Sequence, residues 1–174
     1  MGYTFKHPSF SDLAKGDLEK IKGHLNDGIN YLKNDDARYE QYIDISSWAS
    51  WLLAHDILGT RDAGGSNMFY YKETFDDNDP FSSKIKMGPV WDFDSSFLIV
   101  DYWSQIRVNE HGYFPLLLRQ QKFKQVYAEN WEAISKTLVQ TVDERVLDFS
   151  EQKEQGIEQS LYLDSVRWKT KQLD

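Results

Sequence analysis

A mainly helical α+β fold, a helical bundle carrying one small β-hairpin, is the class predicted for this 174-residue chain. Three observations predict it. Apolar residues recur at steps of three and four in the first third of the chain and again from residue 114 onward. Only two short runs, 68–72 and 84–87, have strand composition. Between the helical blocks lies a Gly-rich stretch where acidic and amide side chains gather, which suits loops better than core.

The length allows one domain with a proper core and is short for two. The expected layout is a single domain over 1–174: helical over 8–58, loops and hairpin over 59–98, and helical again over 112–170. Six Trp, ten Tyr and ten Phe supply large apolar area despite a mean hydropathy of −0.64, so a folded domain is expected. A formal net charge of −8 argues against a nucleic-acid partner, whose phosphates require a basic face. It leaves a nucleotide substrate open, because a bound divalent cation reverses the sign locally. The absence of cysteine excludes disulfides, thiolate metal sites and a cysteine nucleophile. No apolar run reaches the length of about 18 residues that a membrane span needs, and the N-terminus has no signal-peptide core.

In chain order, Pro8-Ser9-Phe10-Ser11 signals a helix start. Leu18, Ile21, Leu25, Ile29 and Leu32 then form one helical stripe, stopped by Asn34-Asp35-Asp36. Residues 39–45 are ambiguous, with extended character at Tyr42-Ile43, and Asp44 or Ser46 can cap the next helix. Trp48, Trp51, Leu52, His55 and Leu58, widened by Leu53 and Ile57, read as a core helix ending at Gly59 in a left-handed cap. His55 is expected to be a core-edge histidine hydrogen-bonded to backbone in preference to a ligand or acid/base group. The two strand runs make a hairpin with a long acidic tip, Asp76-Asp77-Asn78-Asp79-Pro80. That tip lacks the Gly and Glu of a calcium loop and reads as solvated turn. Residues 97–111 keep no period. Phe114, Leu117 and Leu118 begin a short helix. Phe123, Val126, Tyr127, Trp131, Ile134 and Leu138 mark a second, while Val142, Val146 and Phe149, then Ile157, Leu161 and Val166, suggest one or two more.

The chemistry sits in two loops. The first runs Arg61-Asp62-Ala63-Gly64-Gly65-Ser66-Asn67, the second Gly88-Pro89-Val90-Trp91-Asp92-Phe93-Asp94. Phosphoryl transfer needs divalent cations held against phosphates and a carboxylate that orients the incoming hydroxyl and takes its proton. Kinases draw these from an H-R-D-x-x-x-x-N loop and a D-F-G loop. Here Thr60-Arg61-Asp62 is followed five residues later by Asn67, and the second loop reads Asp92-Phe93-Asp94, with strands between. Hard oxygen donors of this kind suit magnesium or manganese and not zinc.

At these residues the chain resembles the CotH-type kinases, a family named for a spore-coat protein. The resemblance is carried by Tyr42-Ile43-Asp44-Ile45-Ser46-Ser47, by Gly59-Thr60-Arg61-Asp62 with Asn67-Met68-Phe69-Tyr70-Tyr71, and above all by Gly88-Pro89-Val90-Trp91-Asp92-Phe93-Asp94. The Phe114 to Leu118, Phe123 and Trp131 segment extends it over most of the chain from about residue 8. It implies the large lobe of an atypical kinase that uses ATP and Mg or Mn to phosphorylate Ser/Thr of extracytoplasmic, cell-surface or spore-coat proteins. Carried over, Asp62 is the catalytic carboxylate, and Asn67 and Asp92 are metal ligands. Asp94 is either a further ligand or a capping residue, and Arg61 and Trp91 are nucleotide-side candidates. Trp91 either walls the pocket or anchors its loop in the core. No Gly-rich phosphate loop and no strand Lys facing a helix Glu is found, so the chain resembles the carboxyl-terminal half of such a domain. The missing lobe is expected in the same polypeptide, and this chain alone is expected to be inactive.

Two other readings compete. Asp92-Phe93-Asp94-Ser95-Ser96 partly fits the D-x-D-x-[ST] of a phosphatase, or the D-x-D of a glycosyltransferase, but the alternating strands and helices of those folds are lacking. A non-catalytic surface or coat protein, or a carbohydrate- or protein-binding module, would use exposed aromatics, with Tyr102 and Trp103 the candidates.

Overall fold

A computed structural model describes residues 4–60, 63–94, 108–152 and 157–169. The chain forms two compact units, Met1–Asn130 and Trp131–Asp174.

In the first unit the predicted helix start at Ser9 is a single 3-10 turn, Phe10–Asp12, and the long helix begins later, α1 at Asp17–Lys33. The carboxylate of Asp17 accepts from the Ala14 backbone N–H at 2.8 Å, holding the turn that feeds the helix. Ile29 and Leu32 of the predicted stripe are buried, and the helix ends where Asn34 was expected to stop it. A four-residue helix α2, Tyr39–Tyr42, precedes extended Ile43, which makes a parallel bridge to Ile85. Of the extended character expected at Tyr42-Ile43, only Ile43 is extended; Tyr42 closes the helix.

Helix α3, Ile45–Leu58, is the centre of this unit. Asp44 caps it, its carboxylate accepting from the Ser47 N–H at 3.0 Å, and Gly59 closes it at φ 61°. Apolar residues lie all round it, and Trp48, Ala49, Trp51, Leu52 and Leu53 are each at most 3% exposed. A helix apolar on every side is stable only when neighbours surround it. Here Trp48 stacks on Tyr70 (5.0 Å between centroids) and Trp51 on Phe114 (5.5 Å). Phe114 and Leu117 come from the short helix α4, Phe114–Leu117. Phe123 comes from the start of α5, Gln121–Gln152, and is fully buried.

The hairpin is shorter than its composition predicts: β1, Tyr70–Tyr71, pairs antiparallel with β2, Lys86–Met87. Its acidic tip is exposed, as expected, and is tied down locally. Lys20 reaches Asp77 at 2.5 Å, and the Asp76 carboxylate accepts from the Asn78 N–H. Phe75 and Phe81 fold back toward His24 and Tyr42.

The second unit contains the rest of α5 and helix α6, Glu158–Trp168. Residues 142–149, read as a possible separate helix, continue α5 without a break, because no Gly or Pro interrupts them. Their stripe is not buried: Val142, Val146 and Leu147 are more than half exposed, as are Tyr162, Leu163 and Val166 on α6. Exposed pairs such as Glu132–Lys136 (3.3 Å) and Arg145–Asp148 (3.6 Å) run along α5, each a contribution of a few tenths of a kcal/mol. Among the described residues no helix is long and apolar enough to cross a membrane.

Candidate functional site

The second loop is aligned by α3. Four positions on one face of that helix bond to the chain running from Ile85 into the Gly88 to Asp94 block. The Ile85 carbonyl accepts from the Asp44 N–H at 3.0 Å and from the Trp48 indole Nε1–H at 3.0 Å. Ser47 Oγ accepts from the Met87 N–H at 3.1 Å, and the Trp51 indole donates to the Pro89 carbonyl at 3.4 Å. Four residues of helix rise about 6 Å and two residues of strand about 6.6 Å. Residues at i, i+3, i+4 and i+7 of α3 therefore match alternate residues of the extended chain, and the bonds fall in step. This role of α3 was missed in the sequence. The available signal was the pair of tryptophans on an apolar helix, since a buried indole N–H requires an acceptor.

One turn further along α3 is His55, 1% exposed, with its ring 4.0 Å from that of Trp51 and 5.0 Å from that of Phe93. The expected burial is observed; the expected hydrogen bond is not. Among the described residues neither ring nitrogen of His55 has a partner. An imidazole in this setting is held neutral: burial pushes its pKa down from 6.5 to about 4. It serves as the apolar bed of the Asp92-Phe93-Asp94 turn. Beside it on the helix, the exposed Asp56 carboxylate accepts from the Tyr127 hydroxyl at 2.7 Å.

Asp92 is solvent-exposed at φ 64°, a left-handed conformation uncommon outside glycine and best tolerated by Asn and Asp. Asp94 is exposed on the turn that comes next. On the first loop, Asn67 is half-buried at the end of a 3-10 turn, Gly65–Asn67. Arg61 and Asp62 lie outside the described residues, as do Tyr102 and Trp103.

The two loops meet. The Trp91 indole Nε1–H donates to the Asn67 carbonyl at 3.0 Å, and its ring packs edge-on against Phe69 with centroids 5.4 Å apart. Trp91 is 44% exposed, so it anchors its loop to the other loop and not in the core. The backbone immediately before Asp92 is thereby pinned to the backbone of Asn67. Among the described residues no group of three or more acidic or histidine side chains is close enough to hold a metal ion. The donors that are described, the Asn67 amide and the Asp92 and Asp94 carboxylates, are hard oxygen groups of the kind that hold magnesium or manganese with water completing the shell.

No curated protein and no solved structure gives a significant match to the chain. The family model described as CotH kinase protein matches residues 8–172, nearly the whole length. The chain therefore belongs to the CotH kinase protein family.

Proposed function

We propose that the two loops form the metal-binding and proton-handling part of a phosphoryl-transfer site in an atypical protein kinase. In this reading Asp62 orients the hydroxyl of a Ser or Thr in a protein substrate and accepts its proton. Asn67 and Asp92 hold the cation, with Asp94 beside them as a further ligand or as a cap for the turn. Arg61 and Trp91 face the nucleotide, ATP. Magnesium or manganese, when bound, would neutralise charge developing on the transferred phosphoryl group. The lobe that grips the triphosphate belongs to the same polypeptide, and the substrate is extracytoplasmic, in keeping with the family's association with the spore coat.

The observation that carries this reading is the Trp91–Asn67 hydrogen bond, which joins the loop before Asp92 to the loop that carries Asn67. Membership of a kinase family supports the same reaction class. The phosphatase alternative is disfavoured by the sheet, which among the described residues is a two-stranded antiparallel ribbon and not a parallel one.

The test is transfer of radiolabelled γ-phosphate from ATP by the full-length protein carrying this chain. Asp62→Ala and Asp92→Ala should each lower the rate by about 100-fold or more. A double variant that transfers phosphate at the wild-type rate refutes the assignment.

A further inference from the structure

The first loop contains two adjacent glycines, and they are required for different reasons. Gly65 has φ 66° with open space where a side chain would point, so its conformation demands glycine. Gly64 has φ −82° and ψ 173°, extended backbone that any residue adopts. What demands glycine there is space. A Cβ on Gly64 would lie 2.7 Å from Cγ of His111 and 2.9 Å from both Cδ2 and Nδ1. Only a ring lying face-on gives that pattern, so the His111 imidazole is laid flat on Gly64.

His111 is exposed, but the backbone that carries its ring is held on both sides. His111 comes directly after a 3-10 turn, Val108–Glu110, and its N–H donates to the Val108 carbonyl at 3.0 Å. Its own carbonyl accepts from the Phe114 N–H at 3.2 Å, and Val108 and Phe114 are at most 1% exposed. The contact is also reciprocated. Gly112, at φ 59°, leaves a gap for the first loop: a Cβ there would be 2.9 Å from Met68 Cε and 3.1 Å from the Tyr70 hydroxyl. The two segments thus interlock, His111 seated on Gly64 and Met68 on Gly112.

Asn67 hangs between these seats. Its N–H donates to the Gly64 carbonyl at 3.4 Å, and the Met68 N–H donates to the Gly65 carbonyl at 3.3 Å. Wherever the His111 ring holds Gly64, the turn that presents Asn67 goes with it.

We propose that His111 is a positioning residue of the phosphoryl-transfer site, its ring face seating the Gly64 turn and so fixing where Asn67 meets the cation. This rests on the phosphoryl-transfer reading of the two loops. The ring acts through its flat shape, not through a nitrogen, so another flat ring should serve.

The experiment is Mn²⁺ binding to the full-length protein, read from the loss of the free-ion electron paramagnetic resonance signal, beside the melting temperature of each variant. His111→Ala should weaken Mn²⁺ binding by about tenfold, as loss of a group that orients a ligand does, and His111→Phe should bind like wild type. Gly64→Ala should also weaken binding, and adding Gly64→Ala to His111→Ala should cost little more, since the ring it would strike has gone. Asp92→Asn separates the two claims. Where Asp92→Asn abolishes binding and His111→Ala leaves it unchanged, the role of His111 is refuted and the site reading stands. Where Asp92→Asn leaves Mn²⁺ binding unchanged, the site reading is refuted and the role of His111 with it. Should His111→Ala not fold, Gly64→Ala decides: wild-type Mn²⁺ affinity in that variant overturns the proposal, and weakened affinity with a melting temperature near wild type supports it.

Discussion

His55 offers a quantitative check on the helix that aligns the second loop. Its ring is 1% exposed, has no hydrogen-bond partner among the described residues, and titrates at about 4 where the ordinary value is 6.5. Burial alone causes the shift. A depressed folded-state pKa on a histidine means that the unfolded chain binds the proton more readily. The stability is therefore complete above pH 6.5, falls as pH drops below that value, and reaches its full loss below about pH 4. The whole gap corresponds to about 3 kcal/mol, of which about 2 kcal/mol is lost by pH 5. His55→Leu is close in volume and unable to take a proton. Urea unfolding monitored by near-ultraviolet circular dichroism at pH 7, 6 and 5 is the assay. Carboxylate titration is common to both proteins and cancels in their difference. The wild type should lose about 2 kcal/mol more than the variant between pH 7 and pH 5, a midpoint difference of roughly 1 M urea. At pH 7 the variant should be at least as stable, because two unpaired buried nitrogens have been removed. Parallel curves for the two proteins would mean that the imidazole has a polar partner or access to water and is not held neutral by burial.

Single contacts carry further consequences. Asp44→Ala removes the side-chain cap of α3 and should cost about 1 kcal/mol in the same urea assay; a change below a few tenths would mean that the Ile85 bridge, not the cap, sets the start of that helix. Trp91→Phe deletes the indole donor to Asn67 but keeps a ring against Phe69. It should leave the melting temperature nearly unchanged, since Trp91 is 44% exposed, while weakening metal-dependent nucleotide binding; undiminished binding would mean that the loops do not depend on this bond.

Much of the first unit was legible because its signals are local. The Leu18 to Leu32 stripe, the Asn34 stop, the Asp44 cap and the Gly59 terminator each act within one turn of their own chain, and each is where periodicity and capping chemistry put it. The hairpin was legible in kind but not in length. Met68 and Lys72 have strand composition, yet Met68 turns to fill the gap at Gly112 and Lys72 turns to bond the Ser83 carbonyl. Periodicity also could not say what covers a stripe. Val142, Val146 and Val166 recur at helical spacing as core residues do, but they are exposed. At the site, residue types and spacing pointed to Asn67, Asp92 and Asp94. The tie between the loops through Trp91, the rail along α3 and the seat of His111 on Gly64 are contacts between residues 24 to 47 positions apart, which no local pattern encodes.

In the proposed function, the loops carrying Asn67 and Asp92 together hold a cation for nucleotide chemistry. Calorimetric titration of ATP into the full-length protein, with and without magnesium, tests it most directly. Binding should require magnesium and should be lost in Asp92→Ala without loss of folding. Nucleotide binding that is indifferent to both magnesium and Asp92 would contradict it.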